Sequence, residues 1–499
     1  MQCHKMIFQA AQTSFSVEGS RWSSMLGKLT LLLACNLTTS PRDQAAAEET
    51  VFVEKSAVGI NADLQYRTRY LLLDSRIVDS VSNARLMVGT VSKHPHNPLF
   101  AEDKPWEKRF DNLYGNVLYD QEESIYKCWY SPFIVDNSAK GMSLEERKNR
   151  YRPPRGREMG ICYATSKDGI RWEKPCLGEV EYDGGKENNI VWRGPHGAGI
   201  FKDAHADDPL QRYKMIFQGM HAGFSADGIR WQRPHKLKGI GVAGDTHNNA
   251  LWAPTLGKYV GFTRTWGPTG REVMRIESDD FVTWKQDKVV MRAADKAKQP
   301  YAMPVFYHGG VYLGLVAVHH QPPVDRVWTE LAWSPDTVTW YRINEGTPLV
   351  PNSDETLDCD YGCVYACASP VFLEGEIRLY YGGSDYTHYG WRVGSLCLAT
   401  LRPDGFAGYH ADKPDTPATI VTHEIAYEGE TIAVTADVEK GGHVRVSVVD
   451  ENGRVLDTAK DVLLSVTDHD LQFERPIKRG TIHLRFEFSA ATLYSFKIN

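Results

Sequence analysis

The 499-residue chain has no run of eighteen apolar residues, so the sequence offers no candidate transmembrane helix. Basic charge is not in excess either: 57 Lys and Arg stand against 63 Asp and Glu, a formal net charge of −6. A nucleic-acid partner would call for a basic surface and is not expected. Metal-type spacing is also missing. Cys359, Cys363 and Cys367 recur every fourth residue, but no His or Cys pair completes a zinc set. They read as small buried strand residues, and neither a metal nor a cofactor is implied.

What remains is ordinary for a folded protein, with 42% hydrophobic and 24% charged residues. The length exceeds one typical core, so two domains and a leader are expected. The leader is read at residues 1–50. Arg21 and Lys28 precede the apolar run Leu29 to Ala34, and small polar residues follow. That order is an export signal, with Met25 a candidate start. Leu32-Leu33-Ala34-Cys35 resembles a bacterial lipoprotein signal in which Cys35 takes the lipid; a plain secretory signal ending near Ala45 to Ala47 fits the same stretch. The expected location is periplasmic, cell-surface or extracellular.

A repeat organises the middle of the chain. "SKDGIRW" (166–172), "SADGIRW" (225–231), "SDDFVTW" (278–284) and "SPDTVTW" (334–340) all fit Ser-x-Asp-x-x-x-Trp, at steps of 59, 53 and 56 residues. Runs rich in Val, Ile, Tyr and Trp precede each turn, such as "YKCWY" (126–130) and "YKMIF" (213–217). A less exact fifth copy ends in "RPDGF" (402–406). Repeats of this length are propeller blades or solenoid turns. Five antiparallel units closing into a ring leave few free sheet edges, so residues 51–410 are read as a five-bladed β-propeller. Beyond "DKPDTPATI" (412–420), alternating segments such as "HVRVSVVD" (443–450) and "TIHLRFEF" (481–488) make residues 411–499 a β-sandwich. The fold class is all-β.

A propeller has one natural site, the mouth of its central channel, where loops enter the innermost strands. Counting back from the second-strand tyrosines aligns three acids: Asp111 lies 15 residues before Tyr126, Asp203 lies 10 before Tyr213, and Asp245 lies 14 before Tyr259. They are expected to converge at one mouth. Around them, Glu107, His96, Arg264, His320, Asp385 and His388 are candidate substrate contacts, with Trp266, Tyr389 and Trp391 as a stacking floor.

The stretches "HNPLF" (96–100), "KPWEKRFDN" (104–112), "RYKMIF" (212–217) and "YATSKDGIRWEKP" (163–175) resemble the five-bladed propeller glycosidases of the invertase-like and arabinan-cleaving clans. In particular, the chain is similar to poorly characterised bacterial proteins carrying a domain like the N-terminal domain of family-32 glycosidases. The resemblance covers roughly residues 66–409. It implies a glycoside hydrolase acting on a plant or algal poly- or oligosaccharide, with Asp111 as nucleophile or base, Asp203 orienting the sugar and Asp245 donating the proton. The invertase-type Asn-Asp-Pro-Asn-Gly is absent, Ala rather than Pro follows Asp203, and the third acid is Asp rather than Glu. A non-catalytic sugar-binding propeller is the alternative. A phosphorylase ranks last, because no Arg or Lys cluster stands beside the three acids in the sequence.

Overall fold

The computed structural model describes residues 67–499 except 294, 414 and 415. The leader, with Cys35 and Ala45 to Ala47, lies outside the described residues. Among the described residues the protein is almost entirely β, with one short α-helix at Leu144–Arg147 and a 3-10 turn at Pro209–Gln211. No described helix is long and apolar enough to cross a membrane.

The repeat becomes a series of antiparallel units. The first joins Asn116–Asp120, Ile125–Tyr130, Glu158–Ser166 and Ile190–Arg193 in chain order. A second runs through Gly199–Lys202, Tyr213–Phe217, His221–Ser225 and His235–Lys236, and a third through Asn249–Ala253, Lys258–Gly267, Gly270–Ser278 and Trp284–Arg292. The fourth starts with Lys298–Ala302 and Val305–His308, which both pair with Val311–His320, before Arg326–Ser334 and Tyr341–Arg342. The fifth starts with Cys363–Ala366 and Val371–Phe372 on Ile377–Ser384, followed by Gly394–Leu401. Its outer edge is covered by Ser92–Lys93 and Phe100–Ala101, strands from the other end of the chain. That pairing removes an exposed edge.

Each Ser-x-Asp turn follows the third strand of its unit, and the four are built alike. The Ser hydroxyl lies 3.0–3.1 Å from the Asp carboxylate, which accepts backbone N–H groups two and three residues on. The fourth residue is left-handed in every copy: Gly169, Gly228, Phe281 and Thr337 have φ of 74°, 76°, 62° and 68°. Glycine adopts this freely, whereas Phe281 and Thr337 are held there by the rest of the turn. These aspartates serve the fold. Backbone hydrogen bonding, first that of Arg171, holds the Asp168 carboxyl down to about 2.

The first strands of the units stand side by side and run the same way. Ala198 bridges Asn248 in parallel, and Asn116 Nδ2 donates to Ala198 O at 3.0 Å while its Oδ1 accepts from Ile200 N at 2.8 Å. At the opposite end Lys202 Nζ reaches Asp120 at 3.0 Å. Asn116–Asp120 contacts Gly199–Lys202, which contacts Asn249–Ala253, which contacts Val305–His308, and Val371–Phe372 returns to Asn116–Asp120. Phe306 and Phe372, with ring centroids 6.0 Å apart, complete the cycle. All residues just before these strands therefore meet at one end, and all residues just after them at the other.

The C-terminal strands Ile432–Val449 and Gly480–Ile498 pair along most of their length. Their period-two pattern sets the core: Val444, Val446, Val448, Leu484, Phe486 and Phe488 are fully buried, while Arg445, Arg485 and Glu487 alternate outward. This sheet also takes strands that the sequence places in the preceding repeat segment. Val78–Ser82 pairs with Ala418–Thr422, and Ala84–Val88 pairs with Ala407–Ala411. Arg69–Leu71 pairs with the last strand. Strand composition shows that a segment pairs, not with what. Here Ile77, Val78 and Val81 are buried against the Ile420–Phe486 core.

Candidate active site

Asp111 sits in the loop that enters the first strand of unit one. Its φ is 55°, and Leu113 and Tyr114 beside it have φ of 61° and 45°. Three left-handed non-glycine residues within four positions are costly for the backbone and persist only where the surroundings over-determine them. Two arginines do so. Asp111 Oδ1 receives Arg392 Nη2 at 2.8 Å and Arg109 Nη2 at 3.1 Å, and its carbonyl accepts from Ser384 Oγ at 3.2 Å. Burial alone would raise this carboxyl; Arg392 and then Arg109 outweigh it and bring it down to about 2. Asp111 is ionised at any physiological pH.

Asp245, in the loop entering unit three, is half-exposed and lies 3.2 Å from His196 Nε2 and 3.5 Å from Arg264 Nη1. The His196 hydrogen bond, opposed by burial and helped by Arg264, keeps it below the usual aspartate range. His196 occupies the corresponding loop of unit two. It lies at van der Waals range of Tyr114, ring centroids 5.4 Å apart, and its charge also acts on Asp111. His196 thus bonds Asp245 directly and lies within electrostatic reach of Asp111.

Behind them lies an aromatic and guanidinium cluster. Arg264 and Arg271 lie over the Tyr301 ring at 4.3 and 4.8 Å. Asn112 Nδ2 donates to Tyr114 OH at 2.8 Å and to Tyr301 OH at 3.3 Å, and its Oδ1 accepts from Arg392 at 2.9 Å. His388 meets Tyr301, Tyr365 and Arg392. Burial first, then the charges of Arg392, His319, Arg271 and Arg264, keep His388 well below its ordinary value and therefore neutral. The sequence shows no basic cluster because these arginines come from positions 109, 264, 271 and 392; the fold assembles one.

Asp203 does not join this group. It follows Gly199–Lys202 instead of preceding it, so it lies at the other end of the first strands. There it is enclosed, with Lys214 Nζ at 2.6 Å and Tyr259 OH at 2.6 Å, and lines a cavity of about 1040 Å³ together with Asp120 and Glu122. Both neighbours are ion-paired: Asp120 with Lys127 and Lys202, Glu122 with Lys202 and Arg212. This larger cavity offers no unpaired acid. Asp111 and Asp245 precede first strands and Asp203 follows one, so Asp203 lies at the opposite end from the other two; Asp385 is a further carboxylate at the end of Asp111.

Asp385 follows Ile377–Ser384 and binds Val393 N at 2.8 Å and Arg147 at 2.6 Å; burial raises its carboxyl. It opens on a second cavity of about 500 Å³ shared with His94, Asn97 and Cys359. Arg264 and His388 lie within the cluster. Glu107 does not: it is enclosed within unit one by Tyr130 OH at 2.7 Å and Lys174 at 2.8 Å. His96 is exposed, its ring against His94 at 5.2 Å. His320 stacks on Trp328 at 3.5 Å, while its neighbour His319, facing the opposite side of the strand, reaches His388 at 4.2 Å and Asp325 at 3.1 Å. Trp266 is exposed with Arg271 5.2 Å from its ring, and Trp391 packs edge-on to Tyr151. His196, Arg109, Arg271, Arg392 and Tyr301 were not singled out in the sequence; the signal that finds His196 is its place just ahead of a first strand.

No family model matches the chain, and no curated protein matches it. Solved structures similar to it include a glycosyl hydrolase from Bacteroides ovatus (16% identity, 63% of this chain and 94% of that one, TM-score 0.43). Another is the α-L-arabinofuranosidase of Podospora anserina (12% identity, 62% and 97%, TM-score 0.42). A third is a family 43 arabinoxylan arabinofuranohydrolase of Bacillus subtilis (10% identity, 82% and 99%, TM-score 0.36).

Proposed function

We propose that the chain is a glycoside hydrolase, built as a five-bladed β-propeller followed by a β-sandwich, and cleaving a poly- or oligosaccharide at the mouth where Asp111 and Asp245 meet. The cycle of first strands and the outer strand donated by residues 92–101 support the blade count. The observation that carries the chemistry is the Asp245–His196 contact at the same end of the first strands as Asp111, a carboxylate locked by two arginines in a strained loop. Glycoside hydrolysis needs an ionised carboxylate and a proton donor on either side of the scissile bond. Asp111, fixed and ionised, is the nucleophile or base. Asp245 is held below the usual aspartate range as well, so the proton is carried by the hydrogen-bonded His196–Asp245 pair, 3.2 Å apart. Neutral His388 and the Tyr301 edge face the sugar hydroxyls. Asp203 braces the fold.

Export, with a lipid anchor at Cys35 or a plain signal ending near Ala45 to Ala47, belongs to the same proposal and suits a polymeric substrate. The test is a panel of plant and algal polysaccharides and oligosaccharides with identification of the sugars released. Release by the wild type and not by Asp111→Asn supports the reading. Binding without release across the panel favours the sugar-binding alternative.

A further inference from the structure

Guanidinium groups crowd this mouth. Arg109, Arg264 and Arg392 are buried and Arg271 is half-buried; Arg264 and Arg271 lie against Tyr301, Arg392 bonds Asn112 and His388, and Arg109 shares Asp111 with Arg392. Two carboxylates face them. Asp111 is shared by Arg109 and Arg392, and Asp245 lies 3.5 Å from Arg264. Arg271 donates to the neutral amide of Gln299 at 2.7 Å. Of the other acids nearby, Asp385 pairs with Arg147 and Glu272 with Arg292, while Asp325 is hydrogen-bonded to His319 and to the Tyr389 backbone N–H.

Donors are left over too. Arg109 Nη1 and the Nε groups of Arg264, Arg271 and Arg392 are buried with no hydrogen-bond partner among the described residues. A buried N–H without an acceptor is costly, and the four left here are donors that an oxyanion would satisfy. His388, surrounded by these charges, is kept neutral and adds no fifth cation.

We propose that the arginine cluster is a subsite for an oxyanion, so that the glycoside cleaved here carries an acidic group such as the carboxylate of a uronic acid or a sulfate ester. Planar guanidinium forks suit such oxygens, and Arg271, the most accessible of the four, makes first contact. This rests on the hydrolase reading above and names its substrate class. Free inorganic phosphate has the same chemistry and is the other source of the oxyanion.

Calorimetry at low ionic strength decides the matter, with glucuronate and galacturonate set against glucose and galactose, and with inorganic phosphate and sulfate alone. The acidic sugars should bind at least about tenfold more tightly than their neutral counterparts, the value of one charge-assisted hydrogen bond. Arg271→Gln should remove that preference, bringing acidic and neutral sugars to equal affinity; Arg264→Lys, which keeps the charge and loses the fork, should remove part of it. Arginine-dependent binding of phosphate alone, with sugar phosphate as product when phosphate is added, keeps the oxyanion site and assigns it to a free co-substrate. Equal affinity for acidic and neutral sugars, with neither phosphate nor sulfate bound, overturns the proposal. Cleavage of a neutral glycoside that needs Asp111 and shows no acid preference overturns this inference alone. Arginine-dependent binding of acids without cleavage of any glycoside overturns the hydrolase reading alone.

Discussion

Arg392 donates to Asp111 at 2.8 Å across 281 residues of chain, tying the loop that enters the first unit to the loop that enters the third strand of the fifth. The bond closes the mouth of the ring and sets the charge of its principal acid.

Asp111→Asn should remain folded but melt at lower temperature, since two buried arginines lose their counter-charge, a loss on the order of 3 kcal/mol for a broken buried pair. Asp111→Ala should lose about 1 kcal/mol more, because Asn tolerates the left-handed backbone at φ 55° and Ala does not. Denaturant unfolding of the two variants checks the ordering; equal stability would mean the loop carries no strain.

Stability should fall with acid in two stages. His320, pressed down to about 4 by burial and then by Lys298, and His388, lowered further, are neutral in the fold and take up protons more readily when unfolded. Their contribution is complete above the ordinary histidine value of about 6.5 and declines as pH drops through that value toward about 4. Asp111 has a depressed pKa, so its contribution is complete above the ordinary aspartate value of about 3.9 and is lost toward about 2. Melting temperature against pH should slope downward below about 6.5, less steeply in His320→Leu, and a flat curve from pH 7 to 4.5 would contradict the assignment.

Gly228→Ala tests the repeated turn. The residue has φ 76°, and a Cβ there would stand 2.5 Å from the buried Trp129 ring. Left-handed strain and overpacking together should cost about 2–4 kcal/mol. A change below 0.5 kcal/mol by thermal or urea unfolding would show that the turn does not define the unit, since indifferent surface positions behave so.

His196→Gln keeps a hydrogen bond to Asp245 and removes the proton. Its kcat on natural glycosides should drop on the order of 10²-fold with KM little changed, as for loss of a general acid. An aryl glycoside with an acidic leaving group should recover most of that rate. A loss equally large on both substrates would place His196 outside proton transfer.

The turns were legible in the sequence because each is made by seven consecutive residues whose Ser and Asp side chains bond each other and the turn backbone, with the Trp of the last three turns donating to the carbonyl of the fourth residue. The acids were only partly so. Counting back 10 to 15 residues from a second-strand tyrosine assumes hairpins of similar length. In unit two the first strand ends at Lys202, before a loop that carries the turn Pro209–Gln211, so ten residues before Tyr213 lands beyond the first strand and selects Asp203. His196, ahead of that strand, takes the place. His320 was selected over His319 because strand phase cannot be assigned without knowing which face meets the mouth. The arginine cluster and the pairing of Val78–Ser82 with Ala418–Thr422 join distant segments, and no local pattern records them.

The account stands most directly on one comparison: kcat on the best substrate of the panel for Asp111→Asn, Asp245→Asn and Asp203→Asn, each measured well below its own melting temperature. The first two should lose on the order of 10²-fold or more, Asp111→Asn through loss of the nucleophile or base and Asp245→Asn through loss of the carboxylate that holds His196 for proton transfer. Asp203→Asn should keep kcat within about twofold while losing stability on the order of 3 kcal/mol, because its bonds to Lys214 and Tyr259 are structural. Full activity in both Asp111→Asn and Asp245→Asn, with a large loss in Asp203→Asn at unchanged stability, would place the chemistry at the opposite end of the ring and contradict the account.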